Sequence, residues 1–188
     1  MWKRNLSIFC IVLFLISCSG VQPQRTFDGE YFTSNAPPLK IQILHPEIKD
    51  AGEQAKNYKN VRINRWWWYL GGREGIAVSI TKYTGKQFDY YYSLEHILRN
   101  QNSFPLGSVS VDKSTWEKYA YVNEQQYLHT GLFTRKDDYF IKVYRYKHIG
   151  KHMDEVEELK KTRVMSAQFE KRLQDCFQRC EKLFRIVY

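Results

Sequence analysis

"RWWWYLGGREGIAVSITKY", residues 65–83, holds two strand-like runs around a glycine-rich turn. From Gly75 to Tyr83, Ile76, Val78 and Ile80 alternate with Ala77, Ser79 and Thr81, the period of two expected of a strand. On an extended backbone successive side chains point to opposite sides, so Trp66 and Trp68 face one way and Trp67 and Tyr69 the other. Three consecutive tryptophans and a tyrosine cannot all enter one core. Either one pair lies on a surface or lines a groove, or helices cover both sides of the sheet and bury both pairs. In the first case Arg65, Trp66, Trp67, Trp68, Tyr69 and Arg73, with Arg62 nearby, form a candidate partner-binding surface. Aromatic rings beside arginines suit a membrane interface, a sugar face or a protein hot spot.

Upstream, "PPLKIQIL" sets Leu39, Ile41 and Ile43 against Lys40 and Gln42, a half-buried strand bounded by prolines. The polar stretch Glu47 to Asn60 reads as a loop with at most a helical turn. Downstream, "DYYYSLEHILRNQN" fits a helix capped by Asp89, with Leu94, Ile97 and Leu98 on one face and Asn100 to Asn102 as its stop. Strand character returns through "SVSVD", "WEKYAYV", "QYLHTGLFTR" and "DYFIKVYRYKH", and Lys136-Asp137-Asp138 reads as the hairpin turn between the last two. Asp154 with Glu157 forms a capping-box pattern, and Ser166 offers a second helix start. From Phe169 through Leu173, Cys176, Phe177, Cys180, Leu183 and Phe184 to Val187, apolar residues recur at spacings of three and four, as on one long helix.

This order predicts an α+β fold, an antiparallel β-sheet covered by a central helix and a long C-terminal helix. Across about Phe27 to Val187 the order resembles the PsbP/DcrB type of α/β/α sandwich, several members of which are envelope or thylakoid-lumen lipoproteins. A single globular domain is expected over residues 27–188.

The first residues read as a targeting segment. Lys3 and Arg4 precede an uncharged stretch of 13 residues, Asn5 to Ser17, whereas a helix crossing a bilayer needs about 20. At its end Leu15-Ile16-Ser17-Cys18 resembles the lipobox of bacterial lipoproteins. That resemblance implies a signal peptide over residues 1–17 and a diacylglycerol thioether on Cys18, usually with a further chain such as palmitate on its amine, which together anchor the chain stably to a lipid bilayer. An ordinary cleaved signal, cut near Ser17 or Gly20, and a short uncleaved anchor are the competing readings. Residues 18–26, ending in "SGVQPQRT", read as a tether of about 25 Å when extended. Ser19 is not the aspartate that retains such proteins in an inner membrane, so the periplasm-facing outer membrane is favoured where the source has two.

Removing 17 residues from 188 leaves 171, enough for one domain with a real core, and losing Lys3 and Arg4 takes the formal charge from +9 to +7. The export signal argues against a nucleic-acid partner and points the charge toward an anionic envelope component or an acidic protein, unless it is simply a solvated lysine-rich surface. With Cys18 acylated, Cys176 and Cys180 are the thiols left in an oxidising compartment, one helical turn apart. They read as a redox or disulfide pair, a soft-metal half-site, or buried structural thiols. His148 and His152 flank Gly150, a poor start for a metal site. No catalytic, metal-binding or cofactor motif is recognisable. The expectation is therefore a membrane-anchored envelope lipoprotein with a non-catalytic binding or assembly domain. The alternatives are a periplasmic thiol redox or metal-handling protein using Cys176 and Cys180, and a module holding a small apolar ligand between sheet and helices.

Overall fold

The computed structural model describes residues 24–187 apart from 46, 85–102, 112, 124, 151–152 and 163. Alternating sequence becomes strand almost everywhere: β1 Arg25–Phe27, β2 Tyr31–Asn35, β3 Pro38–Ile43, β4 Asp50–Tyr58, β5 Val61–Gly71, β6 Glu74–Tyr83, β7 Ser103–Val111, β8 Ser114–Val122, β9 Tyr127–Lys136, β10 Tyr139–His148 and β11 Phe184–Val187, with helices α1 Met153–Thr162 and α2 Ala167–Glu181 between β10 and β11. Two antiparallel sheets result, of seven strands in the order β4-β5-β6-β10-β9-β8-β7 and of four in the order β1-β2-β3-β11. The expected α+β sandwich under a long helix is overturned: the described chain is mainly β. The predicted central helix and Cys18 lie outside the described residues.

Three further expectations are corrected. Glu47 to Asn60 is not a loop, because Asp50–Tyr58 pairs along its length with β5. As the edge strand of the large sheet, its side chains are mostly solvated, so its sequence carries no apolar alternation. The C-terminal helix stops at Glu181 with Lys182 as its cap, and Phe184 to Val187 pair with β3 instead of continuing the stripe. Arg25 and Thr26, assigned to the tether, already pair with β2. Ser166 caps α2 as expected, accepting from Phe169 N, while Asp154 lies inside the first turn of α1. The Asp137-Asp138 hairpin is also as expected, with Lys136 opposite Tyr139 and Asp137 at φ 49°.

Register assigns the faces. Trp66 stands opposite Val78, Val78 opposite Val143 and Val143 opposite Leu132, so these share the inner face. The four-stranded sheet covers the β5–β6 side of that face: Phe32 packs on Trp66 at 4.5 Å between rings, and Phe27 meets Trp68 edge-on at 5.0 Å. The helices cover the β7–β9 side, with Val156, Leu159, Phe169 and Leu173 against Phe104, Ala120 and Leu128. Fully burying such a side chain stabilises the fold by roughly 1.5–3 kcal/mol. The opposite, outer face carries Arg65, Trp67 and Tyr69 of β5, Tyr144 and Tyr146 of β10, His129 of β9 and Tyr119 of β8.

Candidate functional site

The tryptophan run is divided by the sheet. Trp66 and Trp68, 5% and 0% exposed, are core residues, and their indole N–H groups donate to Glu53 Oε2 at 2.9 Å and the Gly29 carbonyl at 2.6 Å. They are therefore withdrawn from the candidate surface. Trp67 and Tyr69 remain half-buried on the outer face, where with Arg65 they line a groove of about 450 Å³. Trp67 lies opposite Gly52 of β4, and a Cβ there would stand 2.6 Å from the indole ring. The missing side chain is what lets the ring lie over the edge strand.

Across the groove stand Tyr127, His129 and Tyr146, with Asp50, Gln54 and Asn123 as hydrogen-bonding groups. Arg65 holds its guanidinium 5.5 Å from the Tyr146 ring and 5.7 Å from the Tyr144 ring. The His129 imidazole stacks on Tyr144 at 4.9 Å and 10° between planes, and Asn123 Nδ2 lies 3.4 Å from its Nε2. Burial, then the charges of Arg65 and Lys142, bring the His129 pKa down to about 3. It is a neutral ring at physiological pH.

Beside His129 a smaller hollow of about 270 Å³ contains Lys142, whose amine sits 5.2 Å from the Phe140 ring and 5.5 Å from the Tyr119 ring. Burial lowers its pKa to about 8. The outer face thus combines aromatic planes, amides and cations. It can stack on a ring and hydrogen-bond its substituents.

Arg73, grouped with the tryptophans by sequence, belongs elsewhere. With Gly72 at φ 58° and itself at φ 59°, it forms the two central residues of the β5–β6 hairpin. That turn lines a different cavity, bounded by the end of β10 and by α2. Cys176 lines this cavity, whereas Cys180 is 1% exposed and donates its thiol to the Thr130 carbonyl at 3.1 Å. Both thiols are free, and burial pushes that of Cys180 up to about 12. Such a thiol is a poor nucleophile, which supports the structural reading of Cys180. No group of three metal-ligating side chains occurs among the described residues.

The groove residues that sequence reasoning missed, Asp50, Gln54, Asn123, Tyr127, His129 and Tyr146, come from three strands and the β8–β9 turn, segments distant in the chain from β5. The outward positions of β9 and β10 are unusually aromatic, a signal visible in "QYLHTGLFTR" and "DYFIKVYRYKH" once alternation is followed along both faces. No family model matches the chain, and no curated protein or solved structure matches it either.

Proposed function

We propose that this chain is a lipid-anchored envelope lipoprotein whose folded domain is a non-catalytic binding module for an envelope glycan, held in the groove of Arg65, Trp67 and Tyr69. The observation that carries the reading is the composition of that groove. Half-buried Trp67, Tyr69, Tyr127 and Tyr146 offer ring faces, with half-buried Arg65 and Asn123 and exposed Asp50 and Gln54 as planar polar groups around them. A sugar presents apolar C–H faces edged by hydroxyls, so flat rings with carboxylate, amide and guanidinium partners complement it. The anchor rests on the lipobox resemblance at Cys18. No helix among the described residues is long and apolar enough to cross a membrane.

Titration of the full chain with soluble muropeptides and lipopolysaccharide core oligosaccharides, followed by tryptophan fluorescence, tests the groove. Trp67→Ala should weaken binding at least tenfold, about 1.4 kcal/mol, while leaving the thermal midpoint within a few degrees. Absence of saturable binding by the parent chain, or equal binding by Trp67→Ala, would remove the assignment.

Cys18→Ala tests the anchor separately. It should abolish labelled-palmitate incorporation and release the chain from the membrane fraction. Retention with undiminished labelling would overturn acylation at that residue.

A further inference from the structure

The cavity between the β5–β6 turn and α2 has a volume of about 600 Å³ and gathers five cations from three elements. Arg73 comes from the turn, Arg145 and Lys147 from inner-face positions near the end of β10, and Arg172 and Arg179 from one stripe of α2 next to its buried stripe. Three carboxylates accompany them. Glu74 binds Arg145 Nε at 2.6 Å and Lys147 Nζ at 3.6 Å, Glu155 binds Arg172 Nη2 at 3.0 Å, and Asp175 lines the wall. Five positive against three negative groups leave two positive charges.

The surplus is not spread over an open surface. Arg145 is 1% exposed, and with its Nε engaged by Glu74, its buried Nη2 has no hydrogen-bond partner among the described residues. The Cys176 thiol lies close enough to this guanidinium to help raise its pKa by charge and hydrogen bonding, but a thiol is a weak acceptor that leaves room for a stronger one. Arg172 also has a buried Nε without a hydrogen-bond partner among the described residues, although it already pairs through Nη2 with Glu155, whose carboxylate offers it further acceptor capacity. Arg73 and Arg179 are exposed at the rim and form no ion pair among the described residues. A concave site that gathers like charge and leaves a buried guanidinium N–H of Arg145 unmatched offers a donor that an oxygen of an entering anion would satisfy.

We propose that this cavity is an anion site that takes the phosphate group of a phosphomonoester. Several guanidinium forks match the paired oxygens of a phosphate from different sides, and its charge of nearly two offsets the two cations left over. The volume greatly exceeds that of one phosphate, so the group is carried on a larger body. A soluble organic phosphate and the headgroup of a phospholipid both fit that description.

Phosphorus NMR of the full chain in a phosphate-free detergent separates the two. One arm adds inorganic phosphate and pyrophosphate. The other adds phosphatidic acid doped into the micelles, with phosphatidylcholine as the zwitterionic comparison. Saturable shifts in either arm support the site, those in the first identifying a soluble phosphate and those confined to phosphatidic acid identifying a headgroup.

Arg179→Gln should weaken the responding arm about tenfold, and Arg73→Gln together with it further still. Both positions are exposed, so the fold should tolerate them. Lys171→Gln, exposed on α2 outside the cavity lining, should change binding less than twofold. Absence of saturable binding in both arms would overturn the proposal, as would equal losses in Arg179→Gln and Lys171→Gln.

Discussion

Gly131→Ala should destabilise the protein by at least about 3 kcal/mol, the scale of a severe core substitution, and lower its thermal midpoint by about 6–12 °C. Gly131 sits in β9 with Tyr144 of β10 opposite on one side and Tyr119 of β8 on the other. A Cβ built there runs into the Val143 carbonyl oxygen and stands 2.6 Å from the Tyr144 Cα. These are backbone atoms of a strand held by ladders to both β6 and β9, so they cannot rotate aside as a side chain would. The strands must part, which breaks hydrogen bonds and disturbs the Tyr144–His129 stack next to the groove. Gly52 is the informative contrast, since a Cβ there meets the movable Trp67 ring. Gly52→Ala should therefore tilt that ring and alter the groove at smaller cost in stability. Urea unfolding of both variants measures the difference, and a loss below about 1 kcal/mol in Gly131→Ala would contradict the packing described for β9.

The second large effect is expected at Glu74. Its carboxylate is the ion-pair partner of Arg145, whose side chain is 1% exposed against 24% for Glu74. Glu74→Ala leaves a buried guanidinium uncompensated, a loss on the order of 3 kcal/mol. Replacing both residues, Glu74→Ala with Arg145→Met, should recover much of it, because no unpaired charge then remains. Acid should reproduce the single substitution gradually. Burial alone would raise the Glu74 pKa, but the hydrogen bond and charge of Arg145, with Lys147, outweigh it and hold the pKa below the ordinary carboxylate value of 4.5. The unfolded chain therefore takes up this proton first as pH falls. The stabilisation is fully present above about pH 4.5 and is lost as pH drops through the lower folded value. In Glu74→Ala this part of the acid sensitivity should be missing. Chemical denaturation at pH 7 and at stepped acid pH reads both effects. A single variant within 1 kcal/mol of the parent at pH 7 would show the pair to be solvent-screened.

Strands with one buried face were legible because their period is local. Leu39, Ile41 and Ile43 at 5%, 0% and 5% exposure follow the alternation of "PPLKIQIL", and the hairpin at Asp137-Asp138 follows from its own residues. β4 was not legible, because an edge strand solvated on both sides shows no contrast to read, and its conformation is imposed by pairing with β5. β11 was misread for the opposite reason. Leu183, Phe184 and Val187 continue the helical spacing of α2, yet Phe184 and Ile186 also alternate, and the open edge of β3 selects the strand. The site divides likewise. Sequence separated Trp66 and Trp68 from Trp67 and Tyr69 but could not say which pair the core would take.

The chain's local pattern accounts for its strands with one buried face, its Ser166 cap and its two-sided tryptophan run, because each depends on residues within one or two turns of one another, whereas β4 and β11 are set by their partners. Its long-range contacts account for the rest: the second sheet that covers Trp66 and Trp68, the rings from β9 and β10 that complete the groove around Trp67, and the meeting of Arg73, Arg145 and Arg179 in one cavity. Those pairings join residues up to about a hundred positions apart, and a one-dimensional period carries no record of which edge or face a distant segment will cover.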